Sequence, residues 1–131
     1  MSKRVCAIII QDNKILLMHR IKDGQEYFVF PGGGIKENES DEDAIIREIK
    51  EELSLDAKID KLAFQIENRG QEELYFLIQE FSGIPALSGP EKERMNENNQ
   101  YYPEWIDLDT ALNLPNFYPE EARTKLLQLR H

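Results

Sequence analysis

"GGIKENESDEDAIIREIKEELSL", residues 33 to 55, holds the change of period around which the rest of the chain is organised. Ile45, Ile46, Ile49 and Leu53 recur at helical spacing, and Ser40 with Asp43 three residues on forms a capping-box start, so the stretch predicts a helix over 40–53. Each helical residue turns about 100°, so Glu52 lies about 40° to one side of Glu48 and Glu51 about 60° to the other. The three carboxylates share one edge, and the isoleucines with Leu53 occupy the adjoining arc. Like charges three and four residues apart repel by a few tenths of a kcal/mol per pair. Arg47 and Lys50 stand beside them as offsets. Taken alone, the edge reads equally as a solvated charged face or as a seat for a hard cation, which prefers carboxylate oxygens and substrate phosphates.

Upstream, "FPGGGIKENES" places Gly32, Gly33 and Gly34 where a strand turns toward the helix start, so that backbone groups can come close to a metal or a phosphate. Glu39 precedes the cap, suited both to the helix dipole and to a site role. Before the glycines, "RVCAIII", "KILLMHR" and "EYFVF" read as strands, the first two joined by the hairpin-type "QDN". After the helix, "LDAKIDKLAFQIEN" and "EELYFLIQEFSG" read as two more strands joined around "RGQ", and "EWIDL" as a short extended piece. "LDTALNL" and "PEEARTKLLQLR" read as closing helices, with Pro119 at a first-turn position, and Ser82 to Gln100 reads as an irregular loop. A mixed sheet with one helix inserted between strands and another at the end is an α+β arrangement.

The remaining bounds are compositional. At 131 residues with 40% hydrophobic content, the chain is the size of a single domain spanning 1–131. Its net charge of -9, without a basic and aromatic cluster, argues against polymeric nucleic acid as partner but leaves room for a small phosphorylated ligand carried by divalent cations. The apolar run Val5 to Ile10 is too short for a signal-peptide core or a membrane span, so the expected location is cytoplasmic with no membrane partner. Cys6 lies inside that run and reads as a small buried hydrophobe.

From Gly33 the order is five residues, Glu39, seven residues, Arg47-Glu48-Ile49, one residue, Glu51-Glu52, one residue, Ser54 and Leu55. This resembles the Nudix box, G-x5-E-x7-R-E-U-x-E-E-x-G-U with U aliphatic, at every position except the second glycine, where Ser54 stands. Meeting the other eight positions by chance has a probability on the order of 10⁻⁵ from composition. The strand order and "YYPEWIDLD" with a terminal helix extend the resemblance to a small MutT-type Nudix domain over nearly the whole chain.

The resemblance implies an α/β/α sandwich with a mixed sheet. It also implies an Mg²⁺-dependent hydrolase, with Mn²⁺ as an alternative, cleaving a pyrophosphate bond in a nucleoside diphosphate linked to another group. A nucleoside triphosphate is the default substrate. Glu51 and Glu52 match the family's principal metal ligands, Glu48 a further ligand or the base, and the Gly33 carbonyl a completing ligand. Arg47 matches the residue that holds a helix glutamate in position; Glu39 supports the loop and helix geometry, and Ile49 and Leu55 are the aliphatic box positions. Arg20 and Gly34 are the expected substrate contacts, although Arg20 reads equally as a surface arginine.

Two departures leave roles open. Ser54 replaces a glycine that would end the helix in a left-handed conformation, so the last turn closes differently or carries up to about 1 kcal/mol of strain. Where many relatives carry a glutamate about six residues before a tryptophan, Asn99 stands here, so the base is Glu48, Glu97 or neither, with Glu104 as a further alternative. Tyr101, Tyr102 and Phe28 read as base-stacking or, more commonly, as core aromatics. The proline and tyrosine that mark relatives acting on ADP-ribose and on diadenosine polyphosphates are missing at their distances past the box. A non-catalytic nucleotide-binding or regulatory domain and a ligand-free acidic domain are the competing readings, and monomer and homodimer are both open.

Overall fold

The computed structural model describes residues 2–86, 95, 96 and 98–130. Among them the chain forms β1 (Ser2–Ile8), β2 (Ile10–Gln11), β3 (Lys14–Lys22), β4 (Gln25–Val29), β5 (Gly32–Gly34), α1 (Asp41–Leu53), β6 (Asp56–Asn68), β7 (Gln71–Ser82), β8 (Asn99–Asp107), α2 (Leu108–Leu112), β9 (Phe117–Tyr118) and α3 (Glu120–Arg130). Three two-residue turns set the hairpins: Asp12-Asn13, Asp23-Gly24 and Arg69-Gly70 all have positive φ at both positions. That is the turn whose twist matches the flanking strands.

The strands make two sheets, one in the order β5-β1-β7-β6 and one in the order β2-β3-β4-β9, with β8 also paired to β3. The neighbours β1 and β7 run parallel, which requires a crossover, and α1 lies within it. Buried side chains gather in two clusters. One joins Ala44, Ile45, Ile49 and Leu53 of α1 to Val5, Ala7, Leu74 and Phe76; the other joins α2 and α3, through Leu108, Ala122 and Leu126, to Phe28, Phe30, Tyr75 and Phe117. Helices therefore cover both sides of a mixed sheet system, the α+β sandwich expected. None of the described helices is long and apolar enough to cross a membrane.

The central helix starts at Asp41, capped by the Ser40 hydroxyl, which accepts from the Asp43 amide at 3.1 Å. Fully burying Ile45, Ile49 and Leu53 contributes about 1.5–3 kcal/mol each. The buried arc is rotated from the one the spacing suggests. Ile46 is 39% exposed, whereas Glu52 is only 8% exposed. The helix has docked with Glu52, one member of its carboxylate edge, turned inward.

Three further differences follow from pairing. "EWIDL" is the end of a nine-residue strand, because β3 pairs with β8 from Lys14↔Asp107 to Lys22↔Asn99 and draws polar Asn99 and Gln100 out of the expected loop. The glycines form a short strand, since Gly32 to Gly34 pair with Arg4 to Cys6, and a side chain on Gly32 would run into the Val5 carbonyl. Pro119 lies just before α3, its carbonyl accepting from the Arg123 amide. Cys6 is buried as expected, and burial pushes its thiol up to about 12, far from a nucleophile's range.

Ser54 adopts the left-handed conformation after all, with φ 60° and ψ 30°, its amide donating to Lys50 O at 3.0 Å. The strain of a side chain there persists in the folded state. Ser54→Gly is therefore expected to raise the free energy of unfolding by about 0.5–1 kcal/mol, net of the extra freedom glycine gives the unfolded chain. Urea titration of the two proteins measures it; an unchanged or lower midpoint contradicts a strained cap.

Candidate active site

The box residues meet around one guanidinium. Arg47 donates to both oxygens of Glu39, from Nε at 2.7 Å and from Nη2 at 2.9 Å, in the two-pronged geometry that suits a planar fork. Nη2 also donates to the Gly34 carbonyl at 2.9 Å, and Nη1 donates to Glu48 Oε1 at 2.9 Å and to Glu51 Oε2 at 3.2 Å. One side chain thus ties β5, the turn before the helix and two turns of α1 together. Glu39 also accepts from the Lys36 amide at 3.0 Å. Lys50, the other offset the spacing suggests, pairs with Asp56 at 3.2 Å instead.

Charge follows this geometry. The Arg47 hydrogen bonds, with help from the Lys36 amide, hold the Glu39 carboxyl down at about 2, and the same contacts raise the Arg47 guanidinium further. The three helix carboxylates differ in exposure: Glu51 faces solvent, Glu48 is mostly covered, and Glu52 is buried. Ile49 and Leu55 are buried in the core beneath them.

Gly33 explains how Glu48 comes so close to β5. A Cβ at that position would lie 2.4 Å from Glu48 Oε2, so the carboxylate occupies space that only a glycine leaves open. The donors on this edge are all hard oxygens, the kind Mg²⁺ prefers. In the arrangement found, Arg47 draws Glu48 and Glu51 to itself, and among the described residues no three histidine, cysteine or carboxylate side chains are grouped as a metal cage.

The molecule also holds a cavity of about 820 Å³. Arg4 lines it and stands opposite Gly34 in the β1–β5 register, which connects the cavity to the Arg47 cluster. Arg20 lines it as well, with its guanidinium 5.5 Å from the Tyr101 ring centre and a buried Nε that has no hydrogen-bond partner among the described residues. Tyr27, Tyr75, Tyr101 and Tyr118 supply aromatic walls.

Several sequence candidates fall elsewhere. Glu97 lies outside the described residues. Glu104 hydrogen-bonds His19 Nδ1 at 3.3 Å, on the alternate of β8 that carries Ile106, whereas Tyr101 and Trp105 pack on the α1 side. The Glu104 carboxylate therefore points away from the helix edge. Phe28 stacks on His19 with ring centres 4.3 Å apart, and Tyr102 lies against the same ring, so both serve the sheet and only Tyr101 reaches the cavity. Asn99 begins β8 opposite Lys22, at the hairpin end of β3.

Sequence reasoning passed over Arg4, Tyr27, Glu73 and Tyr75. The signal for two of them was present: Glu73 and Tyr75 are alternate positions in "EELYFLIQ", and an acid on the face of a buried tyrosine is out of place in an ordinary core strand.

Comparison with known proteins gives the same fold and family. A family model described as "NUDIX domain" matches residues 1–127. An RNA pyrophosphohydrolase from Teredinibacter turnerae is 33% identical over 121 residues, covering 73% of this chain and 70% of its own. A CTP pyrophosphohydrolase from Escherichia coli is 38% identical over 61 residues, 45% of each chain. The crystal structure of a MutT NUDIX hydrolase from Burkholderia pseudomallei superposes with a TM-score of 0.75 at 25% identity, covering 97% of this chain and 96% of the other.

The Glu39–Arg47 pair carries a pH signature. A carboxyl lowered from an ordinary 4.5 to about 2 adds stability that is fully present above the unfolded-state value and is lost as pH falls through the folded one. The difference in unfolding free energy between the unmodified chain and Glu39→Gln should hold from pH 7 to about 5 and shrink steadily toward pH 2. Chemical denaturation at several pH values checks this; a difference that stays constant down to pH 2 contradicts the pairing.

Proposed function

The chain belongs to the NUDIX family of pyrophosphohydrolases, and on that premise we propose that it is an Mg²⁺-dependent hydrolase, able to use Mn²⁺, that cleaves a pyrophosphate bond in a nucleoside diphosphate linked to another group. The whole of 1–131 acts as one domain, and a nucleoside triphosphate is the working substrate. The observation that carries the reading is the Glu48 carboxylate set against Gly33 and held there by Arg47, with a cavity of cations and tyrosines linked to the same strand through Arg4 opposite Gly34. The two relatives are both pyrophosphohydrolases and differ in substrate, RNA for one and CTP for the other. The net charge of -9 favours a small nucleotide over a polymer here.

In this reading Glu51, Glu52, Glu48 and the Gly33 carbonyl would hold the divalent cation. When bound, it neutralises phosphate oxygens and acidifies an attacking water. Glu48 would serve as a further ligand or as the general base, and its place is set by Arg47. Arg47 itself is kept in position by Glu39, which has no other cation within hydrogen-bond reach among the described residues. Arg20 offers an unused buried donor to a phosphate, and its contact with Tyr101 fixes the direction of the side chain. A Cβ at Gly34 would meet nothing within 4 Å, so a phosphate can approach the backbone there.

Glu52→Gln is expected to lower hydrolysis of nucleoside triphosphates by about 10²–10³-fold, the loss of several kcal/mol of charge stabilisation. Chelation should stop the unmodified chain and added Mg²⁺ should restore it. Full activity in Glu52→Gln, read by phosphate or pyrophosphate release, removes the carboxylate edge from the mechanism. Gly33→Ala forces the flexible end of Glu48 aside, so activity should fall at least about tenfold while the melting temperature changes little. An alanine variant as active as the unmodified chain would show that Glu48 has no need of its present place.

A further inference from the structure

Glu73 is a buried carboxylate that the chemistry above does not use. It is 5% exposed, yet it lines the cavity. Its oxygens are held from behind: the Tyr75 hydroxyl donates to Oε1 at 2.8 Å and Asn68 Nδ2 donates to Oε2 at 3.3 Å. Tyr75 cannot swing away, being stacked on Phe64 at 4.8 Å and packed edge-on against Phe30 at 4.9 Å. The nearest cation, Arg4, has its Nε 4.0 Å from Oε2, beyond hydrogen-bond reach.

Arg4 pairs with Glu73 only at the outer limit of an ion pair and donates no hydrogen bond to it, so the charge is compensated while the outer lone pairs stay open. Here each oxygen accepts one hydrogen bond from the protein and has capacity for another. The two remaining acceptor positions lie on adjacent oxygens of one planar group, the spacing that two parallel N–H donors match. The sheet also sets Glu73 at a suitable place. Gly34, Arg4 and Glu73 stand in one row across β5, β1 and β7, with the Arg47 cluster at one end and Glu73 at the other.

We propose that Glu73, fixed by Tyr75 and Asn68, is the residue that reads the base, and that it selects guanine nucleotides through the adjacent N1–H and N2–H donors. The inference rests on the proposed function, which puts the phosphates at the opposite end of the row. The other bases do not fit. Cytosine and adenine present one amine next to a ring nitrogen that is an acceptor, and uracil presents one N–H between two carbonyls. Each sets an acceptor against the carboxylate, so the site repels them as well as failing to bind them.

Inosine triphosphate isolates the contact, since it differs from guanosine triphosphate only in lacking the 2-amino group. The unmodified chain should hydrolyse GTP with kcat/KM about tenfold or more above ITP, the usual discrimination of a two-pronged base contact. In Glu73→Gln that ratio should fall toward one, while the low rates with CTP and UTP stay as they were. ITP turned over as well as GTP, a preference for CTP, or a GTP preference that survives in Glu73→Gln each overturns the proposal. The GTP and ITP comparison on the unmodified chain decides the matter even where the variant fails to fold. If no nucleotide is hydrolysed with Mg²⁺ or Mn²⁺, the proposed function falls, and calorimetric binding of the same two nucleotides judges the base contact separately. Tighter binding of GTP then supports it, and equal or absent binding overturns it.

Discussion

The Arg47 guanidinium is the constraint on which the rest of the site depends. Glu48, Glu51 and Glu52 share one helix edge, where like charges repel, and Glu39 adds a fourth carboxylate from the preceding turn. A single cation with five fixed donors answers three of them at once and still reaches the Gly34 carbonyl. A lysine, with its compact ammonium, could not hold this set in one geometry. The fork therefore does two things with one charge: it offsets the repulsion among Glu39, Glu48 and Glu51, and it fixes Glu48 against the glycine strand.

Docking α1 with Glu52 buried and Ile46 exposed gives up some apolar burial for a polar side chain at the sheet. The packing of Ile45, Ile49 and Leu53 is enough to carry it. Arg4, Arg20, Lys22 and Arg69 gather around one cavity, against three carboxylates, Asp23, Glu73 and Glu120. In a chain of net charge -9 this is a local reversal of sign, and such a reversal raises the local concentration of anions. Of the three carboxylates in that lining, Glu73 alone is buried, a fixed negative acceptor.

Much of this was legible in one dimension because it is local. Helix periodicity, the Ser40 cap and the distances from Gly33 to Glu39 and Arg47 all lie within 23 consecutive residues, where backbone geometry alone decides who faces whom. The hairpins were legible where turn residues with positive φ announce them, as at Asp12-Asn13. Ser54 was singled out by the same local comparison, and its left-handed backbone is what the pattern required of the position.

What the chain order could not decide is set by long-range pairing. Whether Asn99 and Gln100 are loop or strand depends on β3, some 80 residues away, because neither has a strong preference of its own. Whether Glu104 or Tyr101 faces the helix side depends on strand parity, and a register slip of one residue exchanges the two faces. The meeting of Arg4, Arg20 and Glu73 at one cavity likewise depends on how two sheets are apposed. Sequence by itself determined the helix, its carboxylate edge and the family, since local geometry fixes those side chains relative to one another. Only the tertiary structure decided the cavity and the face each strand residue presents, because those follow from pairings between segments whose local sequence does not encode the partner.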